Sequence, residues 1–212
     1  MNNVIIRNEE EHDYRAVEEA TREAFWNLYV PGCNEHYLVH CIRKSPDFIA
    51  DLAFVAELDA KVVGSIFFTK SFVVDETGKH HEMITLGPVS VIPQMHGQGI
   101  GSALIEHAKN AAREKGYRAI FLYGYPSYYA QHGFRHAKEF DISNSDGAYP
   151  FAHQVIELFE NALSDITGKA FESNDFHVDE EAAAKYDASF APKEKLVTPS
   201  QKAFEKVAMT FM

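Results

Sequence analysis

The stretch "HGQGIGSALIEH", residues 96–107, sets three glycines at alternate positions in front of a run with helical spacing. A loop of this composition leaves backbone N–H groups unpaired at the positive end of a helix, where an anion is held. Three occupants compete for it. A mononucleotide loop ends Gly-Lys-Ser/Thr, whereas Gly101 is followed directly by Ser102. A dinucleotide loop is spaced Gly-x-Gly-x-x-Gly, with an acid about 20 residues on for the ribose. Here the spacing is Gly97-x-Gly99-x-Gly101, and the next apolar run ends Tyr123-Gly124-Tyr125 without a carboxylate. The third occupant is the pyrophosphate of coenzyme A, whose amide-rich arm needs an interrupted strand ahead of the loop to pair with. "GPVSV" (87–91) offers that. A tight turn that binds nothing is the remaining reading, but three alternate glycines carry an entropic cost that a mere turn does not require. The candidate binding residues are therefore Val89, Ser90, Val91, His96, Gly97, Gln98, Gly99, Ile100, Gly101 and Ser102.

The elements that must position these groups follow from hydrophobic spacing. "NVIIRN" (3–8) reads as a short strand, and Val17, Ala20, Thr21, Ala24 and Phe25 recur with helical period across 12–27. "EHYLVHCIRKS" (35–45) reads as a second helix ending before Pro46. Residues 52–74 read as a hairpin turning at "LDAK", and 81–93 as a further strand. Pro88 has no N–H for a ladder, so that strand should bulge or part from its neighbour there. After the loop, Ile100, Leu104, Ala108, Ala111 and Ala112 lie on one helical face, and Gly116 is a natural C′ residue. "RAIFLYGY" (118–125) reads as a buried strand, "PSYYAQHGF" (126–134) as a short helix turning at Gly133, and "HAKEFDIS" and "QVIELFE" as late strands. From about 160 the chain mixes charge with scattered Phe and Leu, without a clear period.

Bulk properties narrow the classes. The 212 residues suffice for one domain with an appendage, and 31 acidic residues against 20 basic give a net charge of −11. That balance argues against a general nucleic-acid binder, which needs a concentrated basic surface. Cys33 and Cys41 fit neither a metal-ligand spacing nor a disulfide framework. "KHH" (79–81) has no companion ligands, so no metal is expected. The N-terminus lacks a signal-peptide hydrophobic region, and no apolar run approaches the roughly 18 residues of a membrane helix. A cytoplasmic protein, with no membrane or nucleic-acid partner, is the expectation.

The residues resemble the GNAT superfamily of acetyl-CoA-dependent N-acetyltransferases. His96-x-x-Gly99-x-Gly101 matches that family's Gln/Arg-x-x-Gly-x-Gly/Ala signature, and "YYAQHGF" is similar to its Tyr-x-x-x-Gly-Phe element with Tyr129 in the tyrosine position. Four further stretches, among them "YGYPSYYAQHGF" and "FAPKEKLVTPSQKAF", look like a YhbS-like bacterial subgroup. The resemblance implies a mixed α/β fold with a mostly antiparallel twisted sheet, splayed at the cofactor site and flanked by helices. It implies an acetyltransferase domain over 1–160 and a C-terminal extension over 161–212 packed on or continuous with that domain, acetyl-CoA as co-substrate, an amine acceptor and a possible homodimer. Tyr129 is then the general acid for the departing thiolate, with Tyr128 the alternative. Backbone N–H groups at Val89 or Val91 would polarise the thioester carbonyl. Glu35 and His36 fall where the family places a substrate-side loop and helix, with a solvated or structural role as the alternative. Arg43 is a candidate for a substrate carboxylate or else for a surface ion pair. His96 departs from the usual Gln or Arg. An imidazole donates one hydrogen bond when neutral and two when charged, which implies weaker cofactor binding at high pH. A non-catalytic acyl-CoA sensor on the same fold is the rival class.

Overall fold

Apolar runs of differing period build one large sheet with helices on its faces. A computed structural model describes residues 4–212. In chain order the elements are β1 (Ile5–Asn8), α1 (Tyr14–Phe25), α2 (Glu35–Ile42), β2 (Phe54–Leu58), β3 (Lys61–Val74), β4 (His80–Val91) and α3 (Ile100–Glu114). There follow β5 (Ala119–Tyr123), α4 (Pro126–Tyr129), β6 (Arg135–His136), β7 (Ile142–Ser143), β8 (His153–Glu157), β9 (Gly168–Phe171), α5 (Glu180–Asp187) and α6 (Pro199–Ala208). The strands run in the order β1-β2-β3-β4-β5-β8-β6, with β9 pairing both β3 and β7. Only β4–β5 and β7–β9 are parallel, so the sheet is mixed and mostly antiparallel.

The main core lies where α3 lays Ile100, Leu104, Ile105, Ala108 and Ala112 on Ile66, Phe68, Ile84 and Ile120 of the sheet. A full helical face buried against a sheet face in this way is the amphipathic pattern realised. On the opposite face α1 and α2 bring Val17 and Val39 onto Val55 and Phe67. The interruption at Pro88 takes the expected form: the β3–β4 register shifts between Ile66 and Phe68, and Gly87-Pro88 is a cis peptide. The strand nevertheless continues to Val91.

One difference from the sequence expectation stands out. "HAKEFDIS" is not one strand but two two-residue bridges on either side of a 3-10 turn that ends at Asp141, φ 53°. A residue in the left-handed region cannot continue an extended chain, so the strand breaks there. Beyond 160 the chain joins the sheet, with β9 extending it at Phe72↔Phe171, Val73↔Ala170 and Val74↔Lys169.

Candidate active site

Strands β4 and β5 run together only at Ile84↔Ile120 and Thr85↔Phe121. Beyond that point β5 pairs with β8 alone, and β4 is left with a free edge. Amide direction alternates along a strand. The Ile92 N–H donates to Val63 O on the β3 side at 2.9 Å. Ser90 therefore also faces β3, and the N–H groups of Val89 and Val91 face the split.

The split runs into the glycine loop. Gly97 and Gly99 adopt φ 74° and 80°, which L side chains seldom take, and the space outside both is open. The first intrahelical bond of α3 is Ala103 N–H to Gly99 O at 2.9 Å. That leaves the N–H groups of Ile100, Gly101 and Ser102 without helix partners and aimed at the loop mouth. A side chain at 101 would stand 2.7 Å from the Tyr128 hydroxyl, so glycine there lets the phenol lie across the helix start.

Together these groups line a cleft of about 500 Å³ that includes Val89, Ser90, Val91, His96, Gly97, Gly99, Ile100, Gly101, Ser102, Tyr128 and Tyr129. Gln98 is not part of the lining: its amide donates to Gln94 O at 3.3 Å and to the Met95 sulfur. The His96 Nε2–H donates to the Val91 carbonyl at 2.8 Å, which fixes the tautomer and leaves Nδ1 as an acceptor when the ring is neutral. The ring therefore closes off the last carbonyl of the free edge, and in this arrangement the loop's anion-facing donors are backbone groups.

Tyr129 lies over Gly124, where any side chain would collide with its ring. Phe134 meets it edge-on at 5.6 Å. Burial holds its phenol well above the ordinary tyrosine range, so it keeps its proton at neutral pH. Phe25, Leu28, Tyr29 and Tyr125 also line the cleft and were not singled out by sequence. Tyr29 stacks on Phe204 of α6 at 4.1 Å, and burial, with a smaller contribution from the Glu35 charge, pushes its phenol up to about 12. The only signal for these residues was the aromatic density of "FWNLYV" and "YGYPSYY".

Glu35, His36 and Arg43, expected on the substrate side, do not line the cleft. The Glu35 carboxylate accepts the Asn34 N–H at 3.0 Å at the start of its own helix. His36 is fully buried, with Nδ1 3.5 Å from Cys33 Sγ and Nε2 3.2 Å from Asp187 Oδ1. Burial pushes its pKa down to about 4, and burial likewise raises the Cys33 thiol, so neither is primed as a base or nucleophile. Arg43 lies inside, bridging Glu9 at 2.6 Å and Glu18 at 2.7 Å. Among the described residues no group of three or more His, Cys, Asp or Glu is arranged to hold a metal, and no helix is long and apolar enough to cross a membrane.

A profile of the acetyltransferase (GNAT) domain matches residues 50–136, from just before the β2–β3 hairpin through the glycine loop to the end of β6. The uncharacterised N-acetyltransferase YhbS of Escherichia coli (strain K12) is 30% identical over 135 residues, covering 63% of this chain and 78% of the relative. The chain belongs to the GNAT acetyltransferase family. Among solved GNAT structures, E. coli YhbS in complex with CoA superposes with a TM-score of 0.74 at 25% identity, over 84% of this chain and 94% of that one. A GNAT acetyltransferase from Brucella melitensis in complex with acetyl-CoA gives 0.65 at 26% identity, over 83% and 99%. The splayed β4–β5 pair and α3 both lie within the residues that the GNAT profile matches.

Proposed function

We propose that the chain is an acetyl-CoA-dependent N-acetyltransferase that moves an acetyl group to a primary amine, with Tyr129 as general acid. One observation carries this reading: the 500 Å³ cleft gathers the free-edge N–H groups of β4, the unpaired N–H groups of α3 and the protonated Tyr129 phenol in a single space. The residues fit the co-substrate. The outer faces of Gly97 and Gly99 meet nothing within 4 Å, which is room for a bulky anion at the helix start. The solved structures of E. coli YhbS and of the Brucella melitensis acetyltransferase described above hold CoA and acetyl-CoA.

Acetyl-CoA supplies an activated acyl group as a thioester. Ile100, Gly101 and Ser102 would hold its pyrophosphate through backbone N–H groups. Val89 and Val91, facing the split, donate N–H bonds where negative charge develops on the acyl oxygen, and such fixed donors are worth about 3 kcal/mol each when removed. Tyr129 gives its proton to the departing sulfur, a role worth about 10²- to 10⁴-fold.

Thermal denaturation with and without acetyl-CoA tests the binding half. At a hundredfold excess over Kd the ligand contributes about 2.7 kcal/mol, a rise of roughly 5–10 °C for a chain of this length. No shift at saturating acetyl-CoA would overturn the proposal. Amine-dependent release of free CoA then separates an enzyme from a sensor.

A further inference from the structure

Tyr129 and Val89 line a second, smaller chamber of about 260 Å³ that adjoins the cofactor cleft. Phe25, Tyr29, Leu38, Tyr123 and Phe176 form its apolar wall, and Glu172, just past β9, is its one carboxylate. Phe176 closes over Gly87, where a side chain would meet its ring at 3.3 Å. Behind Glu172, Tyr123 and Thr85 lies a third cavity of about 310 Å³ that holds Asn144, Asp146, His153 and His177. Among the described residues no lysine or arginine lines either space. His153 is fully buried with both ring nitrogens unpartnered, and Tyr123 stacks on it at 4.7 Å.

We infer that this chamber is the acceptor site and Glu172 its amine-receiving carboxylate, and that the acceptor is a small cationic primary amine with an apolar, ring-sized body and no carboxylate of its own. The inference rests on the acetyl-transfer reading above. Since only Tyr129, Val89, Phe25 and Tyr29 are shared with the cofactor cleft, an amine in the chamber meets the acyl group beside the proposed acid and N–H donor. Aromatic faces and one carboxylate stabilise a buried ammonium. An amino acid would bring a second anion beside Glu172, into a chamber lined, among the described residues, by no lysine or arginine to pair it. At 260 Å³ the chamber falls below the range of drug-sized pockets, which limits the body to about one ring.

Glu172 is suited to a proton as well as a charge. Burial raises its carboxyl above the usual range, His177 offsets this in part, and no hydrogen bond contributes. As the N–C bond forms and the C–S bond breaks, the nitrogen sheds two protons between ammonium and amide. One passes to Glu172 and out through the polar cavity. The other replaces the proton that Tyr129 gives to sulfur.

The test is isothermal titration of phenethylamine and of phenylalanine into the protein saturated with CoA. Wild type should bind phenethylamine at least about tenfold more tightly than phenylalanine, and Glu172→Gln should lose about tenfold in phenethylamine affinity, with melting temperature and CoA affinity unchanged. Phe176→Ala should weaken both ligands and keep their order. The inference is overturned if CoA-saturated wild type binds no phenethylamine, if phenylalanine binds as tightly, or if Glu172→Gln binds like wild type. Failure to bind CoA at all overturns the acetyl-transfer reading beneath it.

Discussion

Arg43 shows what residue type alone leaves open. Its guanidinium suits a substrate carboxylate, yet it and its two partners are almost entirely inside: side-chain exposure is 5% for Arg43, 2% for Glu9 and 5% for Glu18. Tyr14 also lies against the guanidinium at 4.2 Å. Removing one partner of a buried ion pair strands the others, so Arg43→Ala should cost about 3–5 kcal/mol in urea denaturation. A variant with near wild-type stability but impaired acceptor binding would place Arg43 at the substrate instead. The glycines are the opposite case. Gly97, Gly99 and Gly101 are legible because alternate glycine before a helical period has few other uses. Partners such as Glu9 for Arg43, or Asp187 for His36, leave no trace in local spacing, since the fold brings them from 34 and 151 residues away, respectively.

At the scale of elements, legibility follows the length and period of each run. The 14-residue β3, the 12-residue β4 with its proline break and the 15-residue α3 all stand out in the sequence because pattern accumulates with length. The four-residue β9 does not, and its partner β3 ends almost 100 residues earlier. That short strand delivers Glu172 to the chamber, so the acidic wall of the proposed acceptor site was hidden for the same reason as the strand. Gly168 begins β9 at φ 136°, and a side chain there would run into the Val74 carbonyl. Gly168→Ala should therefore cost about 2 kcal/mol or more by urea denaturation, since backbone cannot yield as a side-chain tip can. An unchanged midpoint would show that β9 docks more loosely than the β3 pairing implies.

Across the whole molecule, burial sets both the pH response and the chemistry. Burial pushes His36 and His153 down to about 4, against an ordinary value of about 6.5. Between those values the folded state binds fewer protons than the unfolded chain, so stability is fully present above pH 6.5 and is lost as pH falls. From pH 7.5 to 5.5 each ring should cost about 1 kcal/mol, read as a falling urea midpoint. His153→Phe, which keeps a ring beside Tyr123, should flatten that slope, and an unaltered slope would assign it to other groups. The same burial keeps Tyr129 protonated where the cofactor cleft and the acceptor chamber meet. In the proposed reaction this phenol protonates the leaving thiolate. The direct measurement is the rate of amine-dependent CoA release at saturating acetyl-CoA by wild type and Tyr129→Phe, with acetyl-CoA affinity measured alongside. A fall of about 10²-fold or more in rate with affinity retained is the predicted result. Equal rates under conditions where chemistry limits turnover would contradict it.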